Sequence, residues 1–411
     1  MTPPPRAPHP FVYTVLYLPF GALGGFVSVA LTFLATRHGL SITEGSLLNG
    51  AQMLTAWLKW LWAPIVDVTW TPRRWYVFST ACSALGVFAM AVIPLGPDTL
   101  PLLLAVIALA SLINSMVGMS IEAIMAEATP VSEQGKVGAW FQAGNLGGAG
   151  FGGGLGLTLL TNLAEPWMAG AIMGATFLAC CGALPFVPNV QGHTAGAGAW
   201  ASVRGVVGQL RETLGSRGGR LAALLCFVPV STGAAQGVLT QAAVAAHWGA
   251  GEQHVAWVQG YTAGAFTVLG CFAGGWLCDR FHPRVAYAGI GVGMAIVAFA
   301  MALLPATPAM YVAGNVVYAL VVGMAYAGFT AFVLNAMGRG AGATKYNIYA
   351  SLSNFPIWWL GLVLGRVADV RGPTALLWAE GVFGLLGVAL FVGAVKLWPE
   401  TKAQPAAEPA A

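Results

Sequence analysis

The sequence predicts an all-α membrane protein in which twelve transmembrane helices form two pseudo-symmetric six-helix halves. Of its 411 residues, 57% are hydrophobic and only 8% are charged, whereas a soluble domain carries about 25% charged residues. Such a shortage of charge is expected when the outer surface faces lipid, where each charge is costly. Long apolar stretches recur along the chain, and one long polar stretch divides them into two sets of six.

The composition also excludes several classes of protein. The net charge is only +4 and no run of basic residues occurs, so nucleic acid is not an expected partner. All six cysteines lie inside apolar stretches without zinc-ligand spacing, so neither a disulfide framework nor a metal site is predicted. The chain has no Gly-Lys-Ser/Thr nucleotide loop, and we expect no cofactor.

Twelve stretches are long enough to cross a bilayer, for which a helix needs about 20 mostly apolar residues. In chain order the predicted spans are 11–35, 44–66, 75–95, 100–128, 137–162, 167–188, 220–246, 254–277, 285–304, 309–337, 345–366 and 374–398. The polar stretch predicts three parts: an N-terminal six-helix bundle (1–188), a cytoplasmic linker (189–219) and a C-terminal six-helix bundle with a short tail (220–411). No signal-peptide cleavage site precedes the first apolar run, so we expect that run to be retained.

The distribution of lysine and arginine predicts the orientation of the chain. With the N-terminus inside and the spans alternating, fourteen of the 18 Lys and Arg residues fall on or near the cytoplasmic side. Arg37, Arg366 and Arg371 fall outside, and Lys59 lies within a span. Because positive charge concentrates in the cytoplasmic loops of membrane proteins, we expect both termini to be cytoplasmic.

Matching residues in the two halves indicate a parallel duplication. Asp67 follows the second span as Asp279 follows the eighth, and Lys136 opens the fifth span as Lys345 opens the eleventh. An asparagine follows each of these lysines at the same spacing. Both correspondences are about half the chain apart, as expected for two repeats related by an axis along the membrane normal.

Charged residues in the loops after the second and eighth spans predict a gate. An aspartate at a helix end can pair with arginines of the next loop, and the pair must break when the helices rock. The gating candidates are Asp67, Arg73, Asp279, Arg280 and Arg284. The alternative is a set of solvated loop charges.

Polar residues recur at helical spacing in several spans, which predicts a central polar cavity. In lipid such side chains turn toward a partner or toward water. For any single residue a hydrogen bond between helices is the simpler explanation, but stripes on helices from both halves favour a cavity. The candidates for substrate binding are Gln52, Lys59, Asn114, Gln142, Asn145, Gln236, Asn315, Tyr318, Tyr326, Asn347, Ser351, Asn354 and Trp358.

Two ionisable residues within the spans stand apart from the other polar positions. Glu122 is the candidate for proton coupling, because an ionisable group in a span is a functional hypothesis by default and burial favours the protonated form of a carboxyl. Lys59 is expected to hold an anionic group or to pair with Glu122. The alternative for both is a structural ion pair. Glu380, in the twelfth span, is a weaker candidate.

Glycines recur at every fourth position of the fifth span, at Gly144, Gly148, Gly152 and Gly156. This spacing predicts a face against which a neighbouring helix packs closely. It does not indicate a nucleotide loop, which requires a preceding strand and a following helix N-terminus.

Several segments resemble one family of transporters. The sequence LKWLWAPIVD at 58–67 resembles the second-span signature of the AmpG muropeptide permease and acetyl-CoA transporter family, which includes single-component siderophore permeases. Glu122 and Glu127 resemble its fourth-span pattern, and ATKYNIYASLSN at 343–354 resembles the opening of its eleventh span. The loop 274–280 resembles a signature of the wider major facilitator superfamily. The resemblance implies the major facilitator fold.

The resemblance also implies a function. It implies a monomeric, multi-pass secondary active transporter of the bacterial inner (cytoplasmic) membrane that works by alternating access. The expected partners are a small-molecule substrate, protons and the lipid bilayer, and the expected activity is proton-coupled uptake of a bulky polar or amphipathic solute such as a muropeptide. A siderophore or acyl-CoA-type permease is an alternative.

Two other classes are weighed against transport. A non-transporting membrane receptor or sensor usually carries a soluble output domain, whereas the tail after Trp398 is short and rich in alanine and proline. A membrane-embedded enzyme needs a clustered metal set or a nucleophile with a base, whereas His247, His254 and His282 are scattered in loops. We therefore expect that the protein is not an enzyme.

Overall fold

A computed structural model of the protein describes residues 8–62, 66, 69–128, 134–189, 204, 208, 211, 215, 217–225, 227–337 and 343–397. Every regular element within these residues is a helix. In lipid a helix satisfies its backbone hydrogen bonds internally, so it suits apolar segments of this length. The predicted all-α fold class is confirmed.

The N-terminal half contains six helices, named α1 to α6. Their bounds are α1 Phe11–Arg37, α2 Ile42–Leu58, α3 Pro72–Val92, α4 Leu100–Ala128, α5 Gln134–Asn162 and α6 Pro166–Phe186. Helix α1 contains a π-helical turn at Phe26–Leu31. Helix α2 is shorter than its predicted span, because it ends at Leu58 and only a 3₁₀ turn, Lys59–Leu61, follows.

The C-terminal half repeats this order with helices α7 to α12. Their bounds are α7 in four pieces from Arg217 to Trp248, α8 Glu252–Arg280, α9 Pro283–Leu303, α10 Pro308–Met337, α11 in two pieces Ala343–Leu352 and Asn354–Arg371, and α12 Pro373–Leu397. Within the described residues, nine helices are long and apolar enough to cross a membrane. Helices α2, α5 and α7 are not among those nine, but they occupy the positions of the other three predicted spans.

The prediction of one continuous seventh span, 220–246, is wrong. Helix α7 consists of Arg217–Leu225, Gln236–Leu239, Ala242–Ala245 and Ala246–Trp248. The break coincides with Pro229, which has no N–H to donate, and with Ser231 and Gly233, which have positive φ of 54° and 67°. Such irregular backbone is tolerated at membrane depth only where protein buries it or a cavity adjoins it.

The predicted glycine face of α5 packs against α1. A Cβ on Gly152 would lie 2.0 Å from the backbone oxygen of Ala22, and one on Gly148 would lie 2.8 Å from that of Leu18. Both distances are shorter than any real contact, so the two backbones touch only because these residues are glycine. The close-packing face is therefore confirmed. A second glycine face of α5, which the sequence analysis missed, brings Gly150 against the backbone oxygen of Gly260 in α8.

Hydrogen bonds join the two halves at one end of the bundle. We call it the distal end; it carries the turns α1–α2, α7–α8 and α11–α12, opposite the N-terminus. Among the described residues, all hydrogen bonds between the halves lie in its part of the bundle: Arg37–Glu252, Thr43–Asp369, Asp369–Ile42 N–H, Ser46–Gln241, Thr240–Ser28, Thr240–Thr32, Thr36–Ala243 and Thr158–Tyr261. The described halves are thus closed on each other at the distal end.

Candidate functional site

A cavity of about 240 Å³ lies between the two halves. Helix α2 contributes Asn49 and Met53 to its lining, α7 contributes Gly237, and α11 contributes Trp358 and Leu362. Gly237 lets the Asn49 side chain pack closely against α7, because a Cβ there would lie 2.4 Å from the amide nitrogen of Asn49. The structure thus places Trp358 of the predicted α11 stripe beside polar residues of the N-terminal half.

A second cavity, of about 450 Å³, adjoins the break in α7. It shares Ile357 with the first cavity and is lined by apolar side chains together with the hydroxyls of Ser231, Thr232, Ser353 and Tyr326. The Tyr326 side chain is half exposed to this space. None of the described residues that line either cavity is charged. The lining therefore suits an uncharged surface that combines apolar and hydroxyl-binding groups.

An aromatic cluster adjoins both cavities. Trp57 of α2 contacts Phe355 and Trp358 of α11, with ring centroids 5.1 and 6.1 Å apart. Phe227, at the break in α7, contacts Phe355 at 5.4 Å. The cluster joins helices from both halves, so a motion of one half against the other must change these contacts.

A charged cluster lies within the N-terminal half. The Lys59 ammonium is 3.1 Å from Oε1 and 3.3 Å from Oε2 of Glu122, and the Tyr17 hydroxyl donates to Oε1 at 3.1 Å. The side chains of Lys59 and Glu122 are 18% and 24% exposed, so solvent reaches the pair. Gly118, one turn before Glu122, leaves room for Tyr17, since a Cβ there would lie 3.0 Å from the hydroxyl.

This geometry fits both interpretations of the pair. Lys59 neutralises the carboxylate, as a structural ion pair requires. The carboxyl also reaches solvent and has two partners to exchange for a proton, as a coupling group requires. The predicted pairing of Lys59 with Glu122 is confirmed, and its role stays a prediction.

Three substrate-binding candidates lie in helix–helix contacts instead of a cavity. Asn114 donates to the Phe20 oxygen at 3.0 Å, Asn315 accepts from Gln259, and Tyr318 donates to Glu380 at 2.9 Å. All three side chains are buried. A buried polar group must be hydrogen-bonded, and here the neighbouring helix supplies the partner. These three residues therefore form hydrogen bonds between helices and do not line a described cavity.

Three further candidates lie at contacts along α2 and α5. Gln52 packs on α1, where its amide nitrogen would be 2.8 Å from a Cβ on Gly24. Asn145 donates to Gln142 at 3.2 Å, and Gln142 is exposed. These three positions neither line the described cavities nor touch the charged cluster.

The remaining candidates lie along α7 and α11. Gln236 opens the second piece of α7 and is half-buried. Ser351 is buried, and Asn354 donates to the Ala350 and Ser351 oxygens across the break in α11. Asn347 lies in the first piece of α11, but its side chain is outside the described residues. Of the predicted α11 stripe, the structure thus brings Trp358 to a described cavity.

Among the gating candidates, neither Arg73 nor Asp279 forms one of the expected ion pairs with a described residue. Arg73 donates to the Leu184 and Val187 oxygens at the C-terminal end of α6, where a cation suits the helix dipole. Asp279 is exposed and forms no ion pair with a described residue, whereas Arg280 lies 5.7 Å above the Trp276 ring. Asp67 lies outside the described residues, and Arg284 opens α9. Arg73 is therefore tied to α6, and the gate stays a prediction.

The residues that hold the distal end together were not predicted from the sequence. Arg37 and Glu252 form an ion pair across the halves, and Gln241 donates to Ser46 at 2.9 Å with no exposure of its side chain. In the sequence these residues appear only as polar residues near the ends of apolar spans. That pattern is too common to identify a contact between the halves. No group of three His, Cys, Asp or Glu residues in the described part of the chain can hold a metal ion.

Two six-helix halves, closed on each other at one end and with a cavity between them, are the arrangement expected of a multi-pass membrane transporter. The chain belongs to the Major Facilitator Superfamily, whose sequence profile matches residues 13–365. It is a transporter family, and the chain is accordingly a transporter and not an enzyme.

Solved structures of transporters share this fold. A POT family transporter in complex with 5-aminolevulinic acid has a TM-score of 0.72 and 9% identity, covering 95% of this chain and 96% of that one. A mutant of the nucleoside transporter NupG has a TM-score of 0.70 and 13% identity over 93% and 98%. A D-xylose–proton symporter has a TM-score of 0.67 and 14% identity over 96% and 98%. At these identities the likeness shows the fold alone.

Proposed function

We propose that the protein is a secondary active transporter that takes up a bulky polar or amphipathic solute by alternating access in a bacterial inner membrane. The observation that carries the proposal is the asymmetry of the interface between the halves. Hydrogen bonds close the distal end, while cavities and a partly exposed ion pair lie farther from it. Rocking about such an interface exposes a site to one side at a time.

The positions of the lysine and arginine residues predict which side of the membrane the distal end faces. Fourteen of them fall on the predicted cytoplasmic side, which contains the N-terminus. The distal end would then be periplasmic, and its closure is what an inward-facing state requires. The same orientation predicts that the linker between bundles 1–188 and 220–411 is cytoplasmic.

The lining favours some substrate classes over others. An acyl-CoA carries several phosphate charges, which require cations. The described cavity residues offer none, and Lys59 is already paired with Glu122. The peptide of a muropeptide also carries carboxylates, but its sugar rings suit the aromatic cluster of Trp57, Phe355 and Trp358, which an acyl-CoA phosphate does not. We therefore place a muropeptide first, a siderophore second and an acyl-CoA third.

Uptake by proteoliposomes tests the proposal directly. Vesicles that contain the protein should accumulate one member of a panel of muropeptides, siderophores and acyl-CoA. Trp358→Ala removes a ring from the cavity wall and should lower uptake about fivefold, since stacking of one aromatic ring contributes about 1 kcal/mol. Trp167→Ala, on the exposed surface of α6, is the matched control and should transport normally. Binding of a panel member without any uptake would favour a receptor.

Proton coupling through Glu122 is tested separately. Glu122→Gln mimics the protonated carboxyl and keeps its shape, so gradient-driven accumulation should fall at least tenfold while substrate exchange stays within about twofold. The control is Glu165→Gln, an exposed carboxyl before α6. Normal accumulation by Glu122→Gln would show that this residue does not couple transport to protons.

A further inference from the structure

Glu380 of α12 is a buried carboxyl that the proposed transport cycle does not use. Its side chain is 3% exposed. Oε1 accepts the Tyr318 hydroxyl at 2.9 Å, and the backbone N–H of Ala235 faces the same carboxyl. Oε2 is buried without any hydrogen-bond partner in the described residues.

Among the described residues, those that interact with Glu380 include no cation. Helix α10 contributes only Tyr318, and residues 234–241 of α7 contain no ionisable group. The neighbouring residue of α9 is Phe299, which would contact a Cβ on Gly381. On α11 the nearest charged residue, Arg366, is 69% exposed and turns to Asp369. An anion in this position would be uncompensated, whereas a protonated carboxyl is much less costly.

Glu380 lies beside a segment of α7 that takes part in the hydrogen bonds closing the distal end. We call residues 234–241 of α7 the distal segment. Tyr318 and Glu380 face its first turn at Ala235, and the Tyr311 hydroxyl donates to the Leu239 oxygen at its other end at 2.7 Å. On its opposite side the segment contacts the N-terminal half.

Those contacts are part of the distal closure already described. Thr240 donates to the Ser28 oxygen at 2.9 Å, and Gln241 donates to Ser46 at 2.9 Å. Gly237 lies against the Asn49 side chain. Movement of the distal segment away from α10 and α12 would therefore open the distal end and bring water to Glu380 at the same time.

We propose that Glu380 is a proton-binding positioning residue whose neutral form holds the distal segment in the closed position. Closing the distal end takes up one proton from the distal side, and opening returns it there after water reaches the carboxyl. The proton is exchanged with one side only and is not transported. Low pH on the distal side thus favours closure. The inference rests on the two-state motion of the proposed function, not on any substrate.

Distances between the halves test this inference without a transport assay. Spin labels are placed at Pro97→Cys and Ala306→Cys, both exposed on distal turns away from the closure, in protein whose six native cysteines are replaced. Between pH 5 and 9 the closed-to-open ratio should fall by up to tenfold per pH unit, as linkage to one proton requires. The side chain in Glu380→Gln is neutral at every pH and similar in shape to glutamate. In this variant, the part of the pH-dependent change in the closed-to-open ratio that Glu380 causes should therefore fall to less than about twofold.

Two variants keep the result interpretable. Tyr318→Phe removes the donor and leaves the carboxyl, so it should keep the pH dependence. Glu165→Gln should behave as the wild type. The difference between the wild type and Glu380→Gln separates the contribution of this carboxyl from those of the other ionisable groups at the distal end. A wild type without pH dependence, or a Glu380→Gln variant that retains it in full, would overturn the inference.

Infrared spectroscopy provides a readout if Glu380→Gln does not fold. The wild-type protein at neutral pH should show the C=O band of a protonated carboxylic acid, and Tyr318→Phe should shift its frequency because a hydrogen bond to Oε1 is lost. Absence of this band would contradict the inference. A failed uptake panel with a normal pH-dependent distance change would instead contradict the proposed substrates alone.

Discussion

Glu122 in α4 and Glu380 in α12 each accept a hydrogen bond from a tyrosine, but their surroundings differ in charge and in water. Glu122 has Lys59 at 3.1 Å and is 24% exposed, whereas Glu380 is buried with no cation beside it. Lys59 can balance a carboxylate at Glu122, whereas no cation among the described residues lies beside Glu380 to balance one there. The same side chain therefore serves an ion pair in one half and a proton-dependent contact in the other.

The first helices of the two halves, α1 and α7, also differ, in their continuity and in how they are packed. Helix α1 runs from Phe11 to Arg37 and contacts the glycine face of α5 along its backbone. Helix α7 is broken into four pieces and is held by side chains of α10 and α12. A closely packed pair of helices moves as one body, whereas a broken helix can shift one piece. We expect the N-terminal half to be the more rigid.

The largest effect is expected from breaking the α1–α5 contact. Gly152→Ala places a Cβ about 2.0 Å from the Ala22 oxygen, and neither backbone can yield without separating the helices. We expect a loss of about 3 kcal/mol, seen as a lower unfolding midpoint in detergent. Gly147→Ala is the matched control, because nothing lies within 4 Å of its Cβ position. Equal stability of the two variants would contradict the rigid α1–α5 pair.

The next largest effect is expected from removing the cation beside Glu122. Lys59→Met leaves Glu122 partly buried without its cation and should lower stability by about 1–2 kcal/mol. Adding Glu122→Gln should restore most of this loss, because no charge then remains unpaired. The double-mutant cycle is measured by thermal unfolding. Additive losses would show that the two side chains act independently.

The fold was predictable because its signal is distributed over the whole chain. Apolar length and charge scarcity recur in every span, so a single broken helix such as α7 does not change the assignment. The break itself was not predicted, since Pro229 and Gly233 stand in a stretch that is still apolar. A hydropathy pattern measures the solvent around a segment and not the continuity of its backbone.

The candidate site was predictable only in part. Ionisable residues are rare in membrane spans, so Lys59 and Glu122 stood out and their pairing was foreseen. Asn114, Asn315 and Tyr318 also lie at helical spacing, but the same spacing serves hydrogen bonds between helices. Which face of a helix adjoins a cavity depends on how helices cross, and one sequence does not encode that in its polarity pattern.

A smaller effect is expected from the Tyr311 contact with the distal segment. Tyr311→Phe removes the hydrogen bond to the Leu239 oxygen and should cost about 1 kcal/mol of the closed state. The closed-to-open ratio of the spin-labelled protein should therefore fall about fivefold. Tyr326→Phe, whose ring lines the larger cavity away from this segment, serves as the control. A ratio unchanged in Tyr311→Phe would mean that α10 does not hold the segment.

The smallest effect is expected from the ion pair at the distal surface. Arg37 and Glu252 join the two halves, but their side chains are 52% and 26% exposed, and an exposed pair contributes at most about 1 kcal/mol. Arg37→Gln should therefore lower the closed-to-open ratio by less than fivefold. Salt screens such a pair, so the wild type at high salt should approach the variant. Arg371→Gln is the control, because Arg371 is exposed in the last turn of α11 and forms no ion pair with a described residue. A loss of closure larger than that of Tyr311→Phe would place the main distal contact at the surface, and the buried distal segment with Glu380 would then hold only a minor share of it.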